Sequence, residues 1–116
     1  MALVDSTQQV LEAAMRGSWM RQTALTNNLA NAETPGFKRQ EVNFESTLQS
    51  AIDGGQPIDQ LEFQAETVPI ESGPNGGAVS VDQESARLAE NGLDYQALTE
   101  VVGARNTIMR SAIGTV

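Results

Sequence analysis

Leu11, Met15, Ser18, Gln22, Leu25, Leu29 and Ala32 follow one another at intervals of four and three residues. That spacing keeps seven side chains on one face of an α-helix, in a seam narrow enough for one partner helix. The run around it contains no proline and a single glycine, Gly17, and Pro35 forbids its continuation. Asp5 with Gln8 forms a capping-box-like start, so the sequence predicts a helix over residues 5–32. A second seam, Leu88, Tyr95, Leu98, Val102, Met109 and Ala112, predicts a helix over residues 83–112, with Asn91 and Arg105 as its polar members. Asp82 stands where a cap is needed, Glu84 suits the first turn, and Arg105 and Arg110 suit the C-terminal end of the dipole. The chain leaves through one helix and returns through the other. The expected fold is therefore mainly α: two long terminal helices in an antiparallel coiled-coil hairpin.

Residues 33–82 have a different grammar. Pro57, Pro69 and Pro74 lie here, with Gly54, Gly55, Gly73, Gly76 and Gly77. Phe44, Leu48 and Ile52 predict a short helix that Gly54-Gly55 stops. Leu61, Phe63 and Ala65 alternate with polar residues, as in a strand, and Val68 and Ile70 extend the pattern. Pro74-Asn75-Gly76-Gly77 signals a turn, after which Val79 and Val81 alternate, so a small β-hairpin is expected in a flexible middle. The organisation expected is residues 1–39 as an N-terminal helix with its exit turn, 40–80 as the flexible middle, and 81–116 as the C-terminal helix. The two helices together make one axial unit. Small residues (Ala13, Ala14, Gly17, Ser18, Ala24 and Ala30 on the first, Ala86, Ala89, Ala97, Gly103 and Ala104 on the second) leave further faces that neighbouring helices could approach closely.

Composition excludes several kinds of chemistry. The chain has no His and no Cys, so it offers neither disulfides, nor imidazole or thiolate metal ligands, nor a Ser–His or Cys–His relay. With 15 acidic and 7 basic side chains its net charge is −8, which disfavours nucleic acid and anionic membrane surfaces as partners. No apolar run is long enough to span a bilayer. The start, MALVDSTQQV, lacks the basic and apolar regions of a cleavable signal peptide. Lys38, the single lysine, stands beside Arg39 as a solvated basic pair. Glu62, Glu66 and Glu71 lie in a Pro/Gly-rich stretch without aromatic platforms. No catalytic, cofactor, metal or small-molecule site is expected. Only Trp19, Phe37, Phe44, Phe63 and Tyr95 are aromatic, so the core is thin and completion by other chains is expected.

The most informative stretch is Asn28-Leu29-Ala30-Asn31-Ala32-Glu33-Thr34-Pro35-Gly36-Phe37-Lys38. Asn28 and Asn31 are poor helix formers whose amides can bond backbone groups in the last turn or on a neighbouring chain. Thr34 is pushed to extended geometry by Pro35, Gly36 is free to take positive φ, and Phe37 follows as an apolar anchor. A capped helix end with a turn explains Pro35 and Gly36, but not two asparagines and an exposed ring. The stretch resembles the signature N-x-A-N-x-x-T-P-G-[FY]-[KR] of bacterial flagellar rod and hook proteins, at all eight specified positions. Leu88-Ala89-Glu90-Asn91-Gly92-Leu93-Asp94-Tyr95-Gln96-Ala97-Leu98 is similar to the proximal rod branch of that family.

The resemblance implies a structural subunit of the periplasmic rod of the basal body, exported without a cleaved signal by the flagellar type III apparatus and polymerising through its end helices. It implies as partners copies of the chain, other rod proteins, the rod–base adaptor protein and the export gate. It places Asn28, Ala30, Asn31, Thr34, Pro35, Gly36, Phe37 and Lys38 at a helix-exit junction that meets neighbouring subunits. It also offers Phe44 and Leu48 as a Phe-x-x-x-apolar export signal, although the same pair is equally the apolar face of a short helix. In the assembled state Leu11, Met15, Leu25 and Leu29 are expected to pack on Leu88, Tyr95, Leu98 and Val102. The alternative is a soluble helical hairpin that binds a regulatory partner reversibly.

Overall fold

The computed structural model describes residues 2–68 and 79–114. Its elements are helix α1 (Ala2–Ala30), strand β1 (Gln40–Glu41), helix α2 (Phe44–Asp53), strand β2 (Glu66–Thr67) and helix α3 (Val81–Gly114). The chain is mainly helical. α1 and α3 lie antiparallel, as polar contacts along their length show. Asn28 reaches Glu84 at one end, Ser18 and Gln22 reach Asn91 in the middle, and Gln8 reaches Arg105 and Asn106 at the other. At ~1.5 Å per residue the helices are roughly 44 and 51 Å long, within a molecule of 62 × 28 × 16 Å.

Both helices begin earlier than expected. α1 starts at Ala2, so Asp5 lies inside it rather than at a cap. No proline or glycine lies between Ala2 and Asp5 to stop the helix there, and Gln8 bonds Glu12 and Asn106 instead of closing a capping box. α3 starts at Val81. Ser80, not Asp82, takes the cap position, with its Oγ accepting from the Gln83 N–H at 3.4 Å and its carbonyl from the Glu84 N–H at 2.9 Å.

The middle differs most from expectation. Residues 40–68 do not dangle: they pack on α1 as a second layer. Ala13 and Ala24 of α1 meet Val42, Phe44, Leu48, Ala51, Ile58 and Phe63 in one apolar cluster. Gly17 makes this docking possible, because a Cβ there would overlap the Phe44 ring. Phe44 meets Phe63 edge-on at 5.9 Å between centroids. The Arg21 guanidinium lies 4.4 Å from the Phe44 centroid and donates to the Val42 carbonyl. α2 ends at Gly54-Gly55, with Gly55 at φ +68°. Its buried face is Phe44, Leu48 and Ala51, and Ile52 is exposed. Seven residues return a helix to within ~20° of its starting face, and eight overshoot it by ~80°.

The strand expected at 61–65 does not form. Leu61 and Phe63 do turn inward, but alternation orients side chains without supplying a ladder partner. The partner is β1, where the chain leaves α1. It pairs antiparallel with β2, Gln40 opposite Thr67 and Glu41 opposite Glu66. Val81, expected to alternate in a hairpin, opens α3 instead. The Pro74–Gly77 turn and Ile70 lie outside the described residues.

Candidate subunit interface and helix-exit junction

The end of α1 is held by its own asparagines. The Asn31 amide donates to the Asn27 carbonyl at 2.9 Å, and the Thr34 hydroxyl donates to Asn31 Oδ1 at 3.2 Å. Thr34, Pro35, Gly36 and Phe37 then form a tight turn, closed by the Phe37 N–H on the Thr34 carbonyl at 3.2 Å, with Gly36 at φ +76°. That is the type II pattern, with proline at the second position and glycine at the third. Phe37 is half-buried, whereas Ala30, Thr34, Pro35, Gly36 and Lys38 are exposed.

The turn sends the chain back along the helix it has left. Asn28, fully buried, accepts from the Gln40 N–H at 2.9 Å and donates to the Gln40 carbonyl at 2.8 Å. A side-chain amide thus pairs with β1 as a further strand would. The same amide donates to Glu84 of α3 at 3.3 Å. Glu84 is itself fully buried and accepts from Arg39 Nε at 2.5 Å and Arg87 Nη1 at 2.9 Å. Arg39 also pairs with Glu41. Burial works against the Arg39 charge, but the hydrogen bonds it donates to Glu84 and Glu41 outweigh it and push its pKa up. Asn28 and Glu84 therefore tie exit, strand and returning helix into one polar knot.

A second polar cluster sets the helix register. Asn91 donates to the Ser18 carbonyl and to Gln22 Oε1, both at 2.9 Å, and accepts from the Ser18 hydroxyl at 3.3 Å. Leu25 is buried, and Leu11, Met15, Leu29, Leu88, Tyr95, Leu98 and Val102 are half-buried. Met109 and Ala112 are exposed. Among the described residues, no helix is long and apolar enough to cross a membrane, and no group of acidic residues is placed to hold a metal ion.

The family model for flagella basal body rod proteins matches residues 11–38, which is the packed part of α1 and the whole exit turn. The flagellar basal body rod protein FlgB of Bacillus subtilis strain 168 is 30% identical over 97% of both chains. The chain belongs to the FlgB family of flagellar basal body rod proteins. FlgB of Yersinia ruckeri is 28% identical over 95% of each chain. That of Escherichia coli K12 is 24% identical over 80% of this chain and 82% of its own.

Within the family segment the structure separates two kinds of residue. Asn28 is enclosed by its own chain, while Thr34, Pro35, Gly36 and Lys38 face outward. Phe44 and Leu48 are buried against α1. Sequence reasoning did not single out Gln40 or Glu84 as partners of Asn28, nor Arg39 as a partner of Glu84. Glu84 was legible only as a favourable first-turn charge, since nothing local announces a buried carboxylate. Gly17 gave a signal, as the lone glycine of a long helix, but its partner lies in α2.

Proposed function

We propose that this structural subunit of the flagellar basal-body rod assembles by completing its helix pair against neighbouring subunits. The observation that carries the reading is the junction, whose buried Asn28 fixes the path of the chain while its outward residues are left for other chains. Residues 1–39 and 81–116 act as one axial unit, and the described part of the middle, residues 40–68, lies as a layer on one side of it. Leu11, Met15, Leu25 and Leu29 packed on Leu88, Tyr95, Leu98 and Val102 form a short antiparallel coiled coil. Ala30, Thr34, Pro35, Gly36, Phe37 and Lys38 meet adjacent subunits, and Asn28 and Asn31 hold that surface in shape. Partners are copies of the chain, other rod proteins, the rod–base adaptor protein and the export gate.

Export precedes folding in this reading. Phe44 and Leu48 are enclosed in the folded subunit, so a gate could read them as a signal only on the unfolded chain. After passage, docking of α2 on α1 removes the signal from view, and the subunit is committed to the periplasmic rod. The test is genetic and biochemical. Deletion abolishes swimming, the intact gene restores it, and the protein co-purifies with basal bodies. A protein found only in the cytosol of cells that swim without it belongs to the other reading, a soluble hairpin with a regulatory partner.

A further inference from the structure

Asn91 is followed by Gly92, and the chain's other Asn-Gly pair is Asn75-Gly76. Space does not explain the glycine at 92. Outside its own helix turn, nothing lies within 4 Å of where a Cβ at Gly92 would stand, so alanine would fit, and glycine in a helix interior lowers helix stability. The pair does have a chemistry of its own. Glycine, having no Cβ, leaves its nitrogen unshielded and its backbone free to reach the geometry of ring closure. The Gly92 nitrogen attacks the Asn91 Cγ, its proton leaves with the side-chain NH2 as ammonia, and a succinimide closes. Water then opens either ring carbonyl, giving aspartate or isoaspartate.

In the folded chain this reaction is held off. A helical backbone, with ψ about −42°, keeps the Gly92 nitrogen away from the Asn91 Cγ. Asn91 is buried, and its amide is engaged at both ends, donating to the Ser18 carbonyl and Gln22 and accepting from the Ser18 hydroxyl. Those partners all belong to α1, so the guard exists only while α1 and α3 are paired. Neither product fits the site. Aspartate at 91 would bring a carboxylate, with no hydrogen to donate, against the Ser18 carbonyl. The arginines that line the cavity beside it, Arg21, Arg39 and Arg87, already pair with Glu45, Glu41 and Glu84, and Glu90 and Asp94 line the same cavity. Isoaspartate routes the main chain through the side chain and lengthens the backbone by one carbon, which breaks the helical repeat. We propose that Asn91-Gly92 is a deamidation site that pairing of α1 with α3 keeps closed, so that a subunit held unpaired marks itself and loses the contact that sets the helix register. The chemistry stands by itself, and its consequence for assembly rests on the rod-subunit reading.

Mass spectrometry of peptides from the full-length protein, aged in warm neutral buffer, reads the site directly. In urea, Asn91 converts to aspartate and isoaspartate at a rate comparable to that of Asn75 in the same chain. Gly92→Ala slows Asn91 severalfold there and leaves Asn75 unchanged. In concentrated solution without urea, and in isolated basal bodies, Asn91 converts an order of magnitude more slowly than in urea. An Asn91 that survives urea while Asn75 converts overturns the site. Equal Asn91 rates with and without urea overturn its protection by packing. Asn91→Asp gives a weaker helical signal than wild type at the same concentration and is depleted severalfold from basal bodies. A wild-type helical signal overturns the loss of register, and wild-type abundance in basal bodies overturns its consequence for assembly. If the unaltered protein is missing from basal bodies altogether, the rod reading falls, while the rates in solution still decide the site.

Discussion

Glu84 and Gly17 show how single positions hold the fold. Glu84 is a carboxylate without solvent contact that accepts from Arg39, Arg87 and the Asn28 amide. Removing one member of a buried pair leaves the other uncompensated, which costs about 3–5 kcal/mol in such settings. Glu84→Gln keeps the volume and loses the charge, so chemical denaturation is expected to show a loss of about 3 kcal/mol. A change below about 0.5 kcal/mol, the scale of a surface substitution, would place the pair on the surface. At Gly17 the constraint is steric. Gly17→Ala ought to help an isolated helix by up to ~1 kcal/mol, but here the new methyl meets the Phe44 ring. A net loss of about 1–3 kcal/mol is expected, and the double variant Gly17→Ala, Phe44→Leu should recover part of it.

Among elements, α2 is fastened to α1 partly by charge. Arg21 pairs with Glu45 and with the Val42 carbonyl. Burial alone would raise the Glu45 pKa, but hydrogen bonds from Arg21 and the backbone outweigh it and hold the carboxyl below its ordinary value. A depressed native pKa adds stability above the unfolded value, and that stability disappears as pH falls through the native one. Acid titration below about pH 4 is therefore expected to loosen α2, read as rising Phe63 and Leu48 amide exchange, and Glu45→Gln should flatten that dependence. The α1–α3 pair makes a separate demand. Leu98 is half-buried midway along it. Leu98→Asp puts an unpaired charge in the seam, so cells are expected to export the protein yet build no rod and spread no further in soft agar than the deletion strain. Wild-type spreading would mean the seam is not used.

As a whole, the molecule is drawn out. Its radius of gyration is 17.7 Å, against roughly 13 Å for a compact chain of this length. Among the described residues the buried apolar side chains are few, and three of them are alanines. The burial available to an isolated chain is small beside the ordering cost of two long helices. Dilute protein is therefore expected to give a circular dichroism signal well short of α1 and α3 fully formed, and the signal should grow with concentration. A full, cooperative, concentration-independent signal would contradict folding coupled to assembly.

Both long helices and the Thr34–Phe37 turn were legible in the sequence, because each is written locally. A four-and-three spacing selects one helix face, and Pro35-Gly36 permits few backbone conformations. Even the polar members of the seams, Ser18, Gln22, Asn91 and Arg105, stood out against their apolar neighbours. The packed middle layer, the short β1–β2 pair and the Asn28–Gln40–Glu84 knot were decided only in three dimensions. Each joins residues far apart in sequence by shape or hydrogen bonding, and such partners leave no periodic trace. Gly17 is intelligible only once Phe44 lies across it, and Glu84 only once Arg39 has been brought round by the turn.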